Sequence, residues 1–226
     1  MTNPWDKIFI DDFESAFEIA DHNYLQTSQD FDLRARAICS LQLRKYDNSL
    51  ADFLKLNEIE KQTNRISDGT YMDIALCYYA LGDTNKAIDY FKYPITNRKE
   101  MVYTSDISVP PSVLLFIGTN LGRHDLTKIA IKELKRLSKY KIPTSNYLLG
   151  LATETELNEI YEQQSHETLR SRKECKAEFY KAVFALVNEK LDKYKKHLNR
   201  CVDIKGKYLE FEYYIAKVEL DKINSR

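Results

Sequence analysis

Apolar residues along the chain recur at three- and four-residue spacing, and no stretch alternates apolar and polar positions long enough to make a strand. The pattern predicts helices over 12–27, 31–45, 48–63, 69–81, 84–96, 111–121, 124–139, 145–162, 167–188, 190–202 and 206–223, with a partial helix at 4–9. Its clearest stretch runs from Tyr71 to Tyr93. Tyr71, Ile74, Ala75 and Tyr78 share one face, Gly82 and Asp83 interrupt, and Ala87 and Phe91 resume the pattern. This spells helix, tight turn, antiparallel helix. Gly82 suits the turn because a left-handed backbone angle costs little without a Cβ. Ala87 is small enough for a close helix crossing, and Phe91 fills the space one turn later. Asp47, Asp68 and Ser145 stand where a side-chain oxygen would cap helix N-termini. Pro110 and Pro111 fit just before or in a first turn, where a missing N–H costs nothing.

The unit returns along the chain in looser form. Ser49 and Phe53 stand 38 residues before Ala87 and Phe91, following Leu33, Ala37, Ser40 and Tyr46. Ala16 and Ala20 stand a further 33 residues upstream. Gly122 follows Gly82 by 40 residues, and Thr127 and Ile131 then take the small and bulky positions. Near the C-terminus, Ala182, Tyr194, Leu198 and Cys201 offer a last version.

These residues resemble the tetratricopeptide repeat, whose pattern runs bulky residue, apolar–small pair, Tyr, Gly, Ala, Phe at a period of ~34 residues. The resemblance implies an all-α, right-handed solenoid of helix-turn-helix repeats, one superhelical domain over 1–226. Its best repeat is 69–96, with weaker ones around 5–27, 31–63, 111–139 and 167–202, and a C-terminal capping helix at 206–223. In the last helix, Tyr208, Phe211, Ile215, Val218 and Ile223 form an apolar stripe. Lys207, Glu210, Lys217 and Asp221 lie opposite, facing water as a solenoid end requires.

The family is a binding scaffold, and the first helix of each pair lines its concave face. Carried onto this chain, the resemblance points to Arg34, Ile38 and Leu41, to Met72, Leu76 and Tyr79, to Ser112, Phe116 and Asn120, and to Phe179 and Val183. Ile38 and Leu76 are expected in the core; Arg34, Tyr79 and Asn120 are expected at the surface. The link from Ile95 to Val109 adds Met101 and Tyr103, because a long ordered connection between repeats is more often functional than filler. The apolar groups of this link, Ile107 included, either fold back onto the helices or join an interface.

Composition sharpens this reading. An apolar fraction of 43% supports a continuous core, and only 6 glycines fit short turns between helices. The N-terminus turns acidic at once instead of forming a basic–apolar leader, and no run approaches the ~18 apolar residues of a membrane span. A soluble, cytoplasmic protein is expected. Cys39, Cys77, Cys175 and Cys201 form no CxxC pair and are expected as reduced, buried thiols. Net charge is zero but unevenly placed. Eight acids against Lys7 crowd residues 1–32, while seven bases against Asp125 and Glu133 fill 123–141. Residues 147–166 then carry four glutamates and no Lys or Arg. Most such charges are solvated helix faces; the polarity also suits steering of a complementary partner. The basic run lacks interleaved aromatics, which speaks against nucleic acid.

Catalytic patterns are thin. His22, His124, His166 and His197 show no metal-ligand spacing, and there is no phosphate-binding glycine loop or nucleophile elbow. Gly118 and Gly122 read as a packing and a turn residue. His124 reads as an exposed capping neighbour of Asp125, and His197 as a surface or helix-packing residue. The expected function is therefore non-catalytic binding of another protein or peptide, without cofactor, metal or membrane. A stand-alone chain of this size resembles immunity proteins that neutralise a cognate bacterial toxin. The alternatives are a peptide-sensing regulator or adaptor of the tetratricopeptide type, and an enzyme with an unrecognised acidic site.

Overall fold

A computed structural model describes residues 2–162, 166–204 and 210–225. The described residues form thirteen α-helices, and their one departure from helix and turn is an isolated parallel bridge between Ser67 and Val102. The chain divides into two compact units, Met1–Ser105 and Asp106–Arg226.

Unit 1 holds α1 (Pro4–Ile8), α2 (Phe13–Thr27), α3 (Asp30–Gln42), α4 (Tyr46–Gln62), α5 (Asp68–Leu81) and α6 (Thr84–Thr96), each packed on the next. The spacing-derived apolar faces form its core. Ala16, Ala20, Leu33, Ala37, Phe53, Ile74, Ala75, Ala87 and Phe91 are all fully buried. Burying a side chain such as Phe53 or Phe91 contributes about 1.5–3 kcal/mol. Ser49 serves as a small crossing residue: its hydroxyl donates to the Ala37 carbonyl at 2.9 Å and receives the Cys77 thiol at 3.5 Å. Gly82 ends α5 at φ +86°, as the turn pattern requires. A charge cluster absent from the sequence reading ties three helices together. Arg36 of α3 grips Asp52 of α4 through two hydrogen bonds, 2.8 and 2.6 Å, and also pairs with Asp21 of α2. Bidentate geometry and partial burial make this a stronger tie than a surface pair.

Unit 2 holds α7 (Val109–Asn120), α8 (His124–Ser138), α9 (Pro143–Leu148), α10 (Glu154–Glu162), α11 (Glu167–Val187), α12 (Leu191–Asp203) and α13 (Phe211–Asn224). The long α11 touches α7, α9, α10, α12 and α13 and is the hub of the packing. Pro110 and Pro111 fall in the first turn of α7, as expected. Gly118 is a packing residue at the α7–α8 crossing, and Gly122 is a turn residue at φ +64°.

Several expectations are corrected. The single helix at 145–162 is two helices. Gly150 takes φ +72°, the Leu151 amide donates back to the Asn146 carbonyl, and Thr153 and Glu156 form a reciprocal capping box that starts α10. In α8 the fully buried small–bulky pair is Ala130 and Leu134, three residues beyond Thr127 and Ile131. Besides Thr153, side-chain capping falls to Asn3, Asp12 and Asp83. Asp47 lies inside the first turn of α4, and Ser145 is buried inside α9. The C-terminal helix does not present Glu210 to water. Glu210 is 3% exposed and pairs with Arg172 and, at 2.9 Å, Lys176. In α13 itself, Glu212 accepts from the Tyr180 hydroxyl at 2.5 Å, and Glu219 accepts from Tyr194 at 3.1 Å and Asn120 at 2.9 Å. Burial pushes the Glu212 carboxyl up, with Lys176 pulling the other way. Lys207 and Tyr208, assigned to this helix from sequence, lie outside the described residues.

All four cysteines are free and buried. Burial pushes the Cys39 and Cys77 thiols up to about 12, which keeps them protonated and unreactive. No described helix is long and apolar enough to cross a membrane.

Candidate interaction groove

Unit 1 carries an open cavity of about 940 Å³. Its lining comes from the start of α3 (Asp30, Arg34), the end of α4 (Ile59, Glu60, Thr63), the turn at Arg65 and Ser67, and the segment at Val102 and Thr104. Amphipathic packing fixes the first two groups. The third depends on how residues 101–105 dock.

That docking answers the question left open by the long link. The segment folds back onto unit 1. The Val102 amide donates to the Ile66 carbonyl at 2.8 Å, and the Asp68 amide donates to the Val102 carbonyl at 3.2 Å. Asp68, fully buried at the start of α5, then receives the Thr104 amide at 2.7 Å and hydroxyl at 3.1 Å, and the Ser105 amide and hydroxyl. Its carboxylate thus pins the segment rather than capping its own helix. The Tyr103 hydroxyl donates to the Pro94 carbonyl at 3.1 Å, and Met101 is buried. Both residues predicted at an interface from the link are therefore committed within unit 1.

Arg34 is held at the groove from several sides. It donates to Glu60 at 3.2 Å and to the Thr70 hydroxyl at 2.7 Å, and lies 3.7 Å from Asp73. Thr70 donates in turn to Glu60 at 2.6 Å, and the second Glu60 oxygen accepts the Ser67 amide at 2.9 Å. The guanidinium is fixed yet its side chain stays 32% exposed. Asp73 is pushed up to about 7, first by burial and then by Glu60 and Asp68, against the pull of Arg34. Arg65 is exposed and has no carboxylate partner among the described residues; Val102, 48% exposed, adds an apolar spot to the lining. The groove therefore offers one fixed cation, one adaptable cation, two carboxylates and a small apolar surface. It suits polar recognition of a chain segment.

The other sequence-predicted residues do not assemble there. Leu41, Met72 and Tyr79 are buried in unit 1, and Ser112, Phe116 and Phe179 are fully buried in unit 2. The reason is packing: α5 and α7 are covered nearly all round, so positions that would line a free wall become core. Tyr79, expected at the surface, is 2% exposed, and Leu76 is core as expected; Ile38 is half-buried instead. Ser112 donates to the Ser108 carbonyl at 2.6 Å, and Phe116 and Phe179 pack edge to face at 5.7 Å. Asn120 is exposed as expected, but it belongs to unit 2 and is engaged with Glu219. Glu60, Arg65 and Ser67 were missed, because no repeat position marks them; Val102 and Thr104 lie in the link that loop length had flagged.

Among the described residues no group of three or more His, Cys, Asp or Glu side chains is placed to hold a metal ion. No family model matches the chain, and no curated protein matches it.

Proposed function

We propose that the chain is a non-catalytic, tetratricopeptide-like module that binds a protein or peptide partner, with the groove of unit 1 as the contact surface. The observation that carries this reading is the fixed, one-third-exposed Arg34 with Arg65, which has no carboxylate partner among the described residues, and exposed Val102 in an open cavity of about 940 Å³. Such a site places a charge in a defined position without chemistry for it to perform. Helix pairs with small crossing residues at Ser49 and Ala87 and a left-handed Gly82 turn support the family reading and, with it, a right-handed solenoid. The reading extends to the cytoplasm, where buried thiols such as Cys39 and Cys77 stay reduced. Within this class, the uneven charge, acidic over residues 1–32 and basic over 123–141, favours neutralisation of one cognate partner, as a toxin-immunity protein does.

The test pairs capture with a groove variant. Arg65→Glu with Val102→Glu alters two exposed side chains and leaves the Arg34–Glu60–Thr70 network intact. The expected result is one stoichiometric protein partner retained by wild type from native extract and lost from the folded variant. A partner that binds both forms equally would remove the groove from the interface. Turnover of a small substrate without any partner would end the binding-module reading.

A further inference from the structure

Unit 2 contains a cavity of about 250 Å³, lined by its own residues. Its walls include the rings of Tyr147 and Phe184, tilted against each other at a centroid distance of 4.9 Å. Lys181, Lys190, Lys193 and His197 reach it from α11 and α12, and Glu154 is the one carboxylate in its lining.

The polar groups are built into the fold. Lys181 is only 7% exposed; it donates to Glu178 at 2.7 Å and lies 3.5 Å from Glu154. The other oxygen of Glu178 is 2.8 Å from Nδ1 of His197, itself buried. Burial pushes the Glu178 carboxyl up, but the hydrogen bonds of His197 and Lys181 outweigh it and hold the group below the usual carboxylate range. Glu178 is thus an ionised carboxylate already engaged by two donors behind the cavity. Lys190 and Lys193 stand at the N-cap and third position of α12, near its positive end. Both are exposed, and neither has a carboxylate partner among the described residues. Three lysines therefore face a single lining carboxylate.

The buried Lys181–Glu178 pair is not closed over by apolar side chains. Here it opens onto a space with two aromatic walls and two uncommitted cations. We infer that this cavity binds a small aromatic monocarboxylate, its ring against Tyr147 and Phe184 and its acid group between Lys181 and the rim lysines. The volume lies below the ~300–1,000 Å³ of drug-sized sites, which limits the ligand to about one ring and one acid group. Glu154 at the rim disfavours a second negative charge.

Benzoate is the probe, with benzyl alcohol, acetate and phenyl phosphate for comparison, measured by calorimetry on the full chain. Saturable benzoate binding is expected, at least about tenfold tighter than that of the uncharged, ringless or dianionic compounds. Lys190→Glu with Lys193→Glu should weaken it by about tenfold or more with an unchanged melting temperature, since both side chains are exposed. Benzoate should also shift the ring resonances of His197 and leave those of His22, His124 and His166 in place. No saturation by ~10 mM, equal binding by the double variant, or tighter binding of phenyl phosphate would overturn the assignment.

Discussion

Replacing Gly118 by alanine sets two well-characterised effects against each other. Gly118 lies in α7 where that helix crosses α8. A Cβ built there would sit 2.9 Å from both Cγ2 and the backbone nitrogen of Thr127, and 3.0 Å from Cβ of Leu126. Carbon contacts are comfortable at about 3.5–4.0 Å, so the new methyl overlaps its neighbours by roughly half an ångström or more. In an open helix the change would stabilise by about 1 kcal/mol, because alanine loses less backbone entropy than glycine. Overpacking costs about 1–3 kcal/mol, and the obstacle here includes backbone, which cannot rotate aside. Because the obstacle includes backbone, the cost falls in the upper part of that range and the steric effect wins, leaving Gly118→Ala less stable by up to about 2 kcal/mol in urea unfolding followed by circular dichroism. Removing Cγ2 in a Thr127→Ser background should recover part of the loss but not all, since the Thr127 nitrogen remains. Gly122→Ala separates sterics from backbone strain. Its Cβ meets nothing within 4 Å, but its φ of +64° penalises any side chain, so its cost should be independent of residue 127. Gly118→Ala melting at or above wild type would refute the close crossing on which unit 2 is built.

Two further predictions address unit 1. Asp73, raised to about 7 from an ordinary 3.8, keeps a proton in the folded state that the unfolded chain has already released. Its stabilising contribution is therefore present in acid and fades as pH climbs from about 4 to 7. Asp73→Asn should flatten that part of the stability–pH curve, and an unchanged curve would show that Asp73 titrates normally. Asp68→Ala removes the acceptor for both residues of the docked segment, so trypsin should cut at exposed Arg98 and Lys99 faster than in wild type while the helical content holds. Equal cleavage rates would mean that Asp68 is not what pins residues 101–105.

The helices were legible because their stabilising term is local. Three- and four-residue apolar spacing places Ile74, Ala75, Ala87 and Phe91 on faces that any neighbouring helix would bury, whatever its identity. The split at Gly150 was also written in the chain, as a glycine followed by Thr153 and Glu156, but the apolar residues on either side masked it. The site was far less legible. Whether Met72 or Tyr79 faces a wall or a core depends on which helix covers α5, and that is decided by packing between distant segments. Arg34 could be selected from its position in the repeat, but its partners Glu60 and Thr70 lie 26 and 36 residues away. The Glu178–Lys181 pair shows a helical i,i+3 spacing, whereas nothing in the sequence marks His197 as its third member. Burying Glu210, Glu212 and Glu219 defied composition, because a carboxylate reads as surface until its cationic or hydroxyl partner is seen.

Those three glutamates make the order of unit 2 depend on residues 210–219. Residues 210–219 bring carboxylates to Tyr180 and Tyr194, which are buried, and to Arg172 and Lys176, which are half-buried. Removing this segment would therefore strip a carboxylate acceptor from four side chains on α11 and α12, and α11 is the helix on which most of unit 2 packs.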